Sequence, residues 1–385
     1  MAPNDHVHNR LTHSVEVASV GRSFARRLAD FLVRKGEISD QSGNDLAWIL
    51  MAACAVHDIG NPPFGHAGEY AIREWADCHQ EVVFPADIPM DEATKSDVLM
   101  FEGNAQGFRV AARSDNEQNG HLRLTYATLG AMVKYPWDSC DPRAQEKQKY
   151  NCFTTEREIF HDMFETMGLE RDGLYLRHPL SFLSEAADDI CYRVLDLEDA
   201  AEIGVIPAGR VREIYASFLD EKGLDEKGER RLPLAMVRGM VIYKMIEESW
   251  RVFEDDYAAI MNGDRESDLK SDFNPRLQDG LGKVKEAYSE IFSEVAKVAT
   301  ELGAYKAIGR IVKALCNAIA ALKRHDGSSA MLFVTQRTLD LAWDRDYVDR
   351  HRDKSYDWWL HQVLDYVSAL TDNHARQLTR EIEGT

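Results

Sequence analysis

Apolar residues recur at three- and four-residue intervals through almost the whole chain, and strict alternation is nearly absent. That periodicity puts one apolar stripe on each of a succession of helices and leaves little room for sheet. RLTHSVEVASVGRSFARRLADFLVRKG places Leu11, Val15, Ala18 and Arg22 on one strip and Val17, Val20, Phe24 and Leu28 on the next, so a broad buried face is expected, ending at Gly36. NDLAWILMAACAVHDIG is apolar nearly all round and reads as a central helix. FEGNAQGFRVAARS, LRLTYATLGAMVKYP, TEREIFHDMFETMG and LSFLSEAADDICYRVLDLEDAAEIG continue in the same style, the last starting after His178-Pro179, where proline suits a first turn. Beyond residue 233, PLAMVRGMVIYKMIEESWRVFEDDYAAIM and the stretches near 283–301, 304–324 and 357–380 are helical too. MLFVTQ at 331–336 is the one segment read as extended. Loops are expected at 78–100, 113–121, 137–150, 204–232 and 262–278, where Pro, Gly, Asp and Asn collect. The fold class is all-α. A functional part at residues 1–200 and a helical C-terminal part at 201–385, packed on the same body, make the expected division.

The 385 residues are 44% hydrophobic and 29% charged, a globular composition with ample core. A formal net charge of −19 repels nucleic acid and anionic membranes over most of the surface, so a polyanionic ligand must meet a local basic pocket or a metal. The six cysteines form no CxxC pair and mostly sit in apolar contexts, which suits buried free thiols in a reducing cytoplasm. MAPNDHVHNR has no apolar signal core, and the apolar run Leu46 to Val56 is too short to span a bilayer. A cytoplasmic location is expected. Trp343 and Trp358-Trp359 suit core packing better than an interface.

Polar residues interrupt this pattern at a few points. His57-Asp58 ends the apolar helix, and neighbouring helical residues diverge by about 100°. They converge on one ion only beside the helix end, where imidazole and carboxylate suit a divalent cation. Two ligands are too few, and His13 and Asp188-Asp189, each interrupting an apolar helix, are the natural additions. Taken singly, each group reads more simply as a hydrogen-bonded core histidine, a cap or a salt bridge. Together they are costly to bury unless something pairs them, and a metal does so. After the Pro62-Pro63 break, which no helix continues through, His66 and Glu69 stand at i and i+3. A carboxylate holding an imidazole suits a general acid or base. A helix N-terminus with Glu69 at the positive dipole end and His66 as cap accounts for the pair equally well.

NRLTHSVEVASVGR, HDIGNPPFGHAGE, FEGNAQGFR, LTYATLGAMVKYP and RHPLSFLSEAADDICYRVLDLED, in this order, resemble the deoxyguanosine triphosphate triphosphohydrolases of the HD-domain superfamily. The resemblance is close over about residues 4–200 and weaker beyond, where DYVSALTDNHA at 365–375 is similar to the family's DYIAGMTD segment. It implies an HD-domain helical fold with a helical C-terminal extension. It also implies metal-dependent hydrolysis of a deoxynucleoside triphosphate, dGTP or another, to deoxynucleoside and inorganic triphosphate. By motif position the metal ligands are His13, His57, Asp58 and Asp188, the last chosen over Asp189 because the family's ligand lies four residues before a tyrosine, here Tyr192. The cofactor is a divalent ion, Mn²⁺ or Mg²⁺ first, although the donor set also accommodates Fe, Co, Ni or Zn.

The resemblance makes His66 and Glu69 the catalytic histidine and its acidic partner, with His66 favoured as general acid over a base or a positioning group. Arg10, Asn104, Lys134, Tyr135 and Lys149 match phosphate and polyphosphate contacts, and cations of this kind stabilise charge spread over phosphoryl oxygens. Tyr192 becomes a wall against the sugar 2′ position and Asp196 a partner for the 3′-hydroxyl. Read without the family, those two are a core ring and an exposed charge. Family members carry a segment resembling RIIFSSAFRRLQxKTQV before the first His motif, with a glutamine that reads the sugar. This sequence starts almost at His13, so the metal site is expected to survive, while affinity, sugar selectivity and assembly are expected to depend on that difference. A homo-oligomer and regulation by a dNTP or single-stranded DNA are further family expectations; a membrane partner is not. Two alternatives remain: an HD phosphohydrolase acting on another nucleotide, and a non-catalytic nucleotide-sensing subunit.

Overall fold

A computed structural model describes residues 9–113, 122–219, 232–292, 295–325 and 331–384. Within them run nineteen α-helices. The first ten are α1 (Arg10–Lys35), α2 (Asp40–Val56), α3 (His66–Cys78), α4 (Gln80–Val83), α5 (Glu92–Leu99), α6 (Gly103–Ala112), α7 (Tyr126–Met132), α8 (Pro142–Lys147), α9 (Arg157–Thr166) and α10 (Pro179–Glu202). The others are α11 (Ala208–Phe218), α12 (Leu234–Asp255), α13 (Tyr257–Asn262), α14 (Pro275–Phe292), α15 (Val295–Arg324), α16 (Phe333–Ala342), α17 (Arg345–His351), α18 (Tyr356–Ala369) and α19 (Asp372–Glu383). One two-residue hairpin, β1 (Glu170–Arg171) with β2 (Leu174–Tyr175), is the only sheet among the described residues. The chain is all-α, as its periodicity predicts.

Two compact units emerge, each assembled from separated stretches. The first comprises residues 1–58, 123–134 and 161–295. In it α1 and α2 pack lengthwise, and α10 packs against both and against α7 and α12. Asn9 caps α1 in a reciprocal capping box with Thr12, and Gly36 closes the helix in a left-handed conformation. The core holds Val17, Phe24 and Leu28 of α1, Leu50 and Cys54 of α2, and Phe182, Leu183, Ile190 and Cys191 of α10. The second unit comprises residues 59–122, 135–160 and 296–385. Its core gathers Trp75, Phe101, Tyr150, Phe153, Ile311, Leu315, Trp359 and Val363.

Several local expectations need correction. Leu11 and Val15 lie outside the buried face of α1, at 74% and 61% exposure. The helix α2 is not central: Leu50, Ala53 and Cys54 are its buried residues, and Trp48 is exposed. Composition marked loops where short helices form: α4 and α5 within 78–100, α8 within 137–150, α11 within 204–232, and the start of α14 within 262–278. Asp91 and Asp141 cap α5 and α8 with their side chains, so turn-forming residues were capping helices. MLFVTQ is not extended, because α16 begins at Phe333. Residues 114–121 and 220–231, in two of the expected loops, lie outside the described residues. All six cysteines are free thiols; Cys54, Cys152, Cys191 and Cys316 are buried, whereas Cys78 and Cys140 are exposed. Trp359 is fully buried, as core packing requires. No described helix is long and apolar enough to cross a membrane.

Candidate active site

Three elements of the first unit bring the expected metal ligands together. His13 sits one turn into α1, His57 caps the C-terminal end of α2 with Asp58 following, and Asp188 lies mid-way along α10. His13, His57 and Asp58 each offer a ligand atom within 4.8 Å of the others. Asp188 Oδ1 lies 3.3 Å from His13 Nε2 and 3.3 Å from His57 Nε2, and Asp58 Oδ1 lies 3.4 Å from His57 Nε2.

The protonation pattern at His57 tests whether these residues fit a cation. Its Nδ1 lies 2.7 Å from the Cys54 carbonyl oxygen, which can only accept, so Nδ1 carries the proton. In the neutral ring the lone pair then sits on Nε2, which is buried and makes no hydrogen bond of acceptable geometry. An acceptor nitrogen facing carboxylate oxygens at 3.3 and 3.4 Å is unfavourable by itself and fits a shared cation. Without an ion, burial works to lower the His57 pKa and the Asp188 and Asp58 carboxylates more than reverse it, so it lies above the usual value. Burial likewise works to raise Asp188, but Lys134, 3.1 Å from Oδ2, and the two imidazoles hold it well below the carboxylate range.

Other expected residues of this unit surround the cluster in sequence. Asp189 turns to an ion pair with Lys270 at 2.6 Å, and Arg193 approaches it at 3.4 Å. Arg10 is the exposed first residue of α1, one turn before His13. Tyr192 and Asp196 follow Asp188 at four-residue steps on α10. Tyr288 of α14 serves both: its ring stacks on Tyr192 at 5.6 Å between centroids, and its hydroxyl lies 3.0 Å from the Tyr192 carbonyl oxygen and 3.3 Å from Asp196 Oδ2. Sequence reading missed Tyr288, which is separated from the motif by 92 residues and carries no local signature.

The second unit holds the other group. Pro62 and Pro63 lead into Phe64 at φ +66° and Gly65 at φ +59°, and α3 starts at His66. A left-handed Phe64 is strained, and its N–H donates to Asp372 Oδ1 at 2.8 Å. His66 is exposed and Glu69, one turn on, is 5% exposed. Glu69 Oε1 accepts from the Gly103 N–H at 2.7 Å. A Cβ at Gly103 would stand 2.6 Å from that oxygen and 2.4 Å from Asn61 Oδ1, so only glycine permits the approach. Burial, then the nearby Glu102 charge, pushes the Glu69 pKa up against Lys149 and His66. Lys149 Nζ lies 3.8 Å from Glu69 Oε2 and bonds Glu102. The Tyr135 N–H donates to Asn151 Oδ1 at 2.8 Å, and Asn151 Nδ2 lies 3.4 Å from the Asn104 carbonyl oxygen. His66, Glu69, Asn104, Tyr135 and Lys149 thus belong to this unit, and His13, His57, Asp58, Asp188, Lys134, Arg10, Tyr192 and Asp196 to the first. Glu102 and Asp372 were also missed by sequence reading, since neither residue type is unusual in its local context.

Comparison with known proteins gives this arrangement a family. Residues 10–92 match the HD domain model. The chain is 37% identical to the deoxyguanosinetriphosphate triphosphohydrolase-like protein of Pseudomonas aeruginosa strain LESB58, over all of this chain and 87% of that protein. A protein of the same description from Synechocystis sp. is 30% identical over all of this chain and 88% of its own length. The deoxyguanosinetriphosphate triphosphohydrolase of Enterobacter sp. strain 638 is 32% identical over 58% of this chain and 49% of that protein. The chain therefore belongs to the HD-domain family of deoxyguanosinetriphosphate triphosphohydrolase-like proteins.

Proposed function

We propose that the protein hydrolyses deoxynucleoside triphosphates, dGTP or another, to deoxynucleoside and inorganic triphosphate. The observation that carries this reading is the convergence of His13, His57, Asp58 and Asp188, with the His57 lone pair turned toward carboxylates. These four residues would hold one divalent ion, Mn²⁺ or Mg²⁺ first. Such an ion supplies Lewis acidity at a phosphoryl oxygen and an activated water at neutral pH. The names of the relatives supply the substrate class.

The chain's own residues take the remaining roles in this reading. Lys134 neutralises the outer oxygen of Asp188 and offers a cation to the phosphates. Arg10 adds a second positive charge on the His13 helix, and Asn104, Tyr135 and Lys149 hold the distal phosphates. Tyr192 walls the sugar 2′ position, and Asp196 accepts from the 3′-hydroxyl. His66, with Glu69 as its acidic partner, delivers a proton to the departing 5′-oxygen. The assignments of His66, Glu69 and the phosphate contacts rest on the sequence motifs.

A product assay tests the reading. The protein is incubated with Mn²⁺ or Mg²⁺ and each dNTP or GTP, and the phosphates are resolved by ion exchange. Triphosphate with deoxynucleoside is the expected outcome. Release of pyrophosphate or orthophosphate instead would assign the chain a different hydrolysis, and no turnover with any substrate would count for a sensing role.

A further inference from the structure

Glu102 is fully buried, and both its oxygens are engaged. Oε2 accepts from the Asn104 N–H at 2.6 Å, Oε1 accepts from Asn104 Nδ2 at 3.0 Å, and Oε1 also accepts from Lys149 Nζ. The same peptide segment reaches Glu69 through the Gly103 N–H. Upstream, Arg73 Nε donates to the Phe101 carbonyl oxygen at 2.5 Å, which fixes the entry to the segment. One carboxylate therefore touches two of the groups read as polyphosphate contacts and lies beside the acidic partner of the proposed acid. A buried anion is costly unless it is held by partners of this kind, and here Lys149 is the one cation bonded to it among the described residues.

We propose that Glu102 is a positioning residue for the polyphosphate end of the site: it fixes the Asn104 amide and the Lys149 ammonium, and through Lys149 it shares a cation with Glu69. This rests on the reading of the chain as a triphosphohydrolase. The physical cause is simple. Glu102 stabilises the charged form of Lys149 against burial, and its like charge disfavours ionisation of Glu69. The charged groups that act on Glu69 are Glu102, Lys149 and His66. Removing the Glu102 charge leaves Lys149 less firmly protonated and lets Glu69 ionise at lower pH.

The test uses Glu102→Gln in the full chain, with two readouts. In the first, competitive acylation with an N-hydroxysuccinimide ester is followed by residue-resolved mass spectrometry. Lys149 should react faster than in the unaltered protein, by about threefold or more, relative to the exposed Lys306. In the second, the acid limb of the kcat profile should move to lower pH, and Glu102→Asp should return it toward its original position. Labelling requires no turnover. Unchanged Lys149 reactivity in the folded variant overturns the Glu102 role, whereas absence of triphosphate release from the unaltered protein counts against the proposed function alone. An unmoved acid limb in an active variant overturns the control of Glu69. If Glu102→Gln does not fold, labelling is read on Glu102→Asp, whose shortened reach should still raise Lys149 reactivity; no rise there overturns the proposal.

Discussion

The two units each gather carboxylates and deal with them differently. In the first, Asp58 and Asp188 face two imidazoles, and Lys134 is the lysine that reaches the cluster. In the second, half-buried Asp365 receives Arg109 Nε at 2.9 Å and Arg113 at 2.6 Å, Arg109 also bonds buried Glu156 at 2.5 Å, and Gln106 donates to Asp365 at 2.8 Å. Beside it, Asp97 receives His361 Nε2, Ser139 Oγ and Thr154 Oγ1 at 3.0, 2.5 and 2.6 Å. The second network carries its own countercharges. The first sets the buried His57 Nε2 among carboxylate oxygens, an arrangement that suits a cation supplied from outside. The contrast is between a closed charge cluster, neutralised by the chain's own cations, and an open one that is proposed to take a metal.

The largest effect that would break this contrast comes from the open cluster. Asp58→Ala or His57→Ala should remove bound metal and with it activity, while the thermal midpoint measured without metal stays nearly unchanged. Metal analysis beside a melting curve checks both parts, and a variant that keeps metal and turnover would dissolve the site. The closed network should behave in the opposite way. Asp365→Ala strands Arg109 and Arg113 without their shared carboxylate, and breaking a buried pair costs about 3–5 kcal/mol. Urea unfolding should show that loss, with metal content per folded molecule preserved.

A smaller pair of effects separates the units by pH. His361 donates from Nδ1 to the Asp357 carbonyl oxygen and from Nε2 to Asp97; burial lowers its pKa, but Asp97 raises it further, so the imidazolium is favoured. Its contribution to stability is full below the unfolded value of about 6.5 and is lost as pH rises through the higher folded value. His178, which caps α10 by accepting from the Leu180 N–H, is pushed by burial down to about 4. The unfolded chain binds that proton first, so stability falls as pH drops from about 6.5 toward 4. The acid loss amounts to about 3 kcal/mol. His178→Asn keeps a capping side chain and should flatten the acid slope of the urea midpoint, whereas His361→Gln should remove the alkaline slope and leave the acid one. Identical pH profiles for both variants would erase the distinction.

How much of this could be read in advance differs from residue to residue. The all-α class followed from periodicity, because a helix exposes its repeat in every turn of sequence. The convergence of His13, His57 and Asp188 was legible because ionisable groups interrupt apolar stripes there, where burial needs a reason. Leu11, Val15 and Trp48 were misread because periodicity reports that a face is apolar and is silent on what covers it. The short helices α4, α5, α8 and α11 were read as loops because Asp and Pro signal turns and helix starts alike.

The sequence by itself determined the helical class, the order of the motifs and the kind of chemistry their side chains can do, since all three depend on neighbours a few residues apart. Only the tertiary structure decided which partners those side chains met. It set Asp188 against His13 and His57 while Asp189 turned to Lys270, brought Tyr288 onto Tyr192 across 96 residues, and gave Phe64 its left-handed turn under Asp372, 308 residues away. Those choices are contacts between distant segments, and their energies depend on distance and burial, neither of which is written in local sequence.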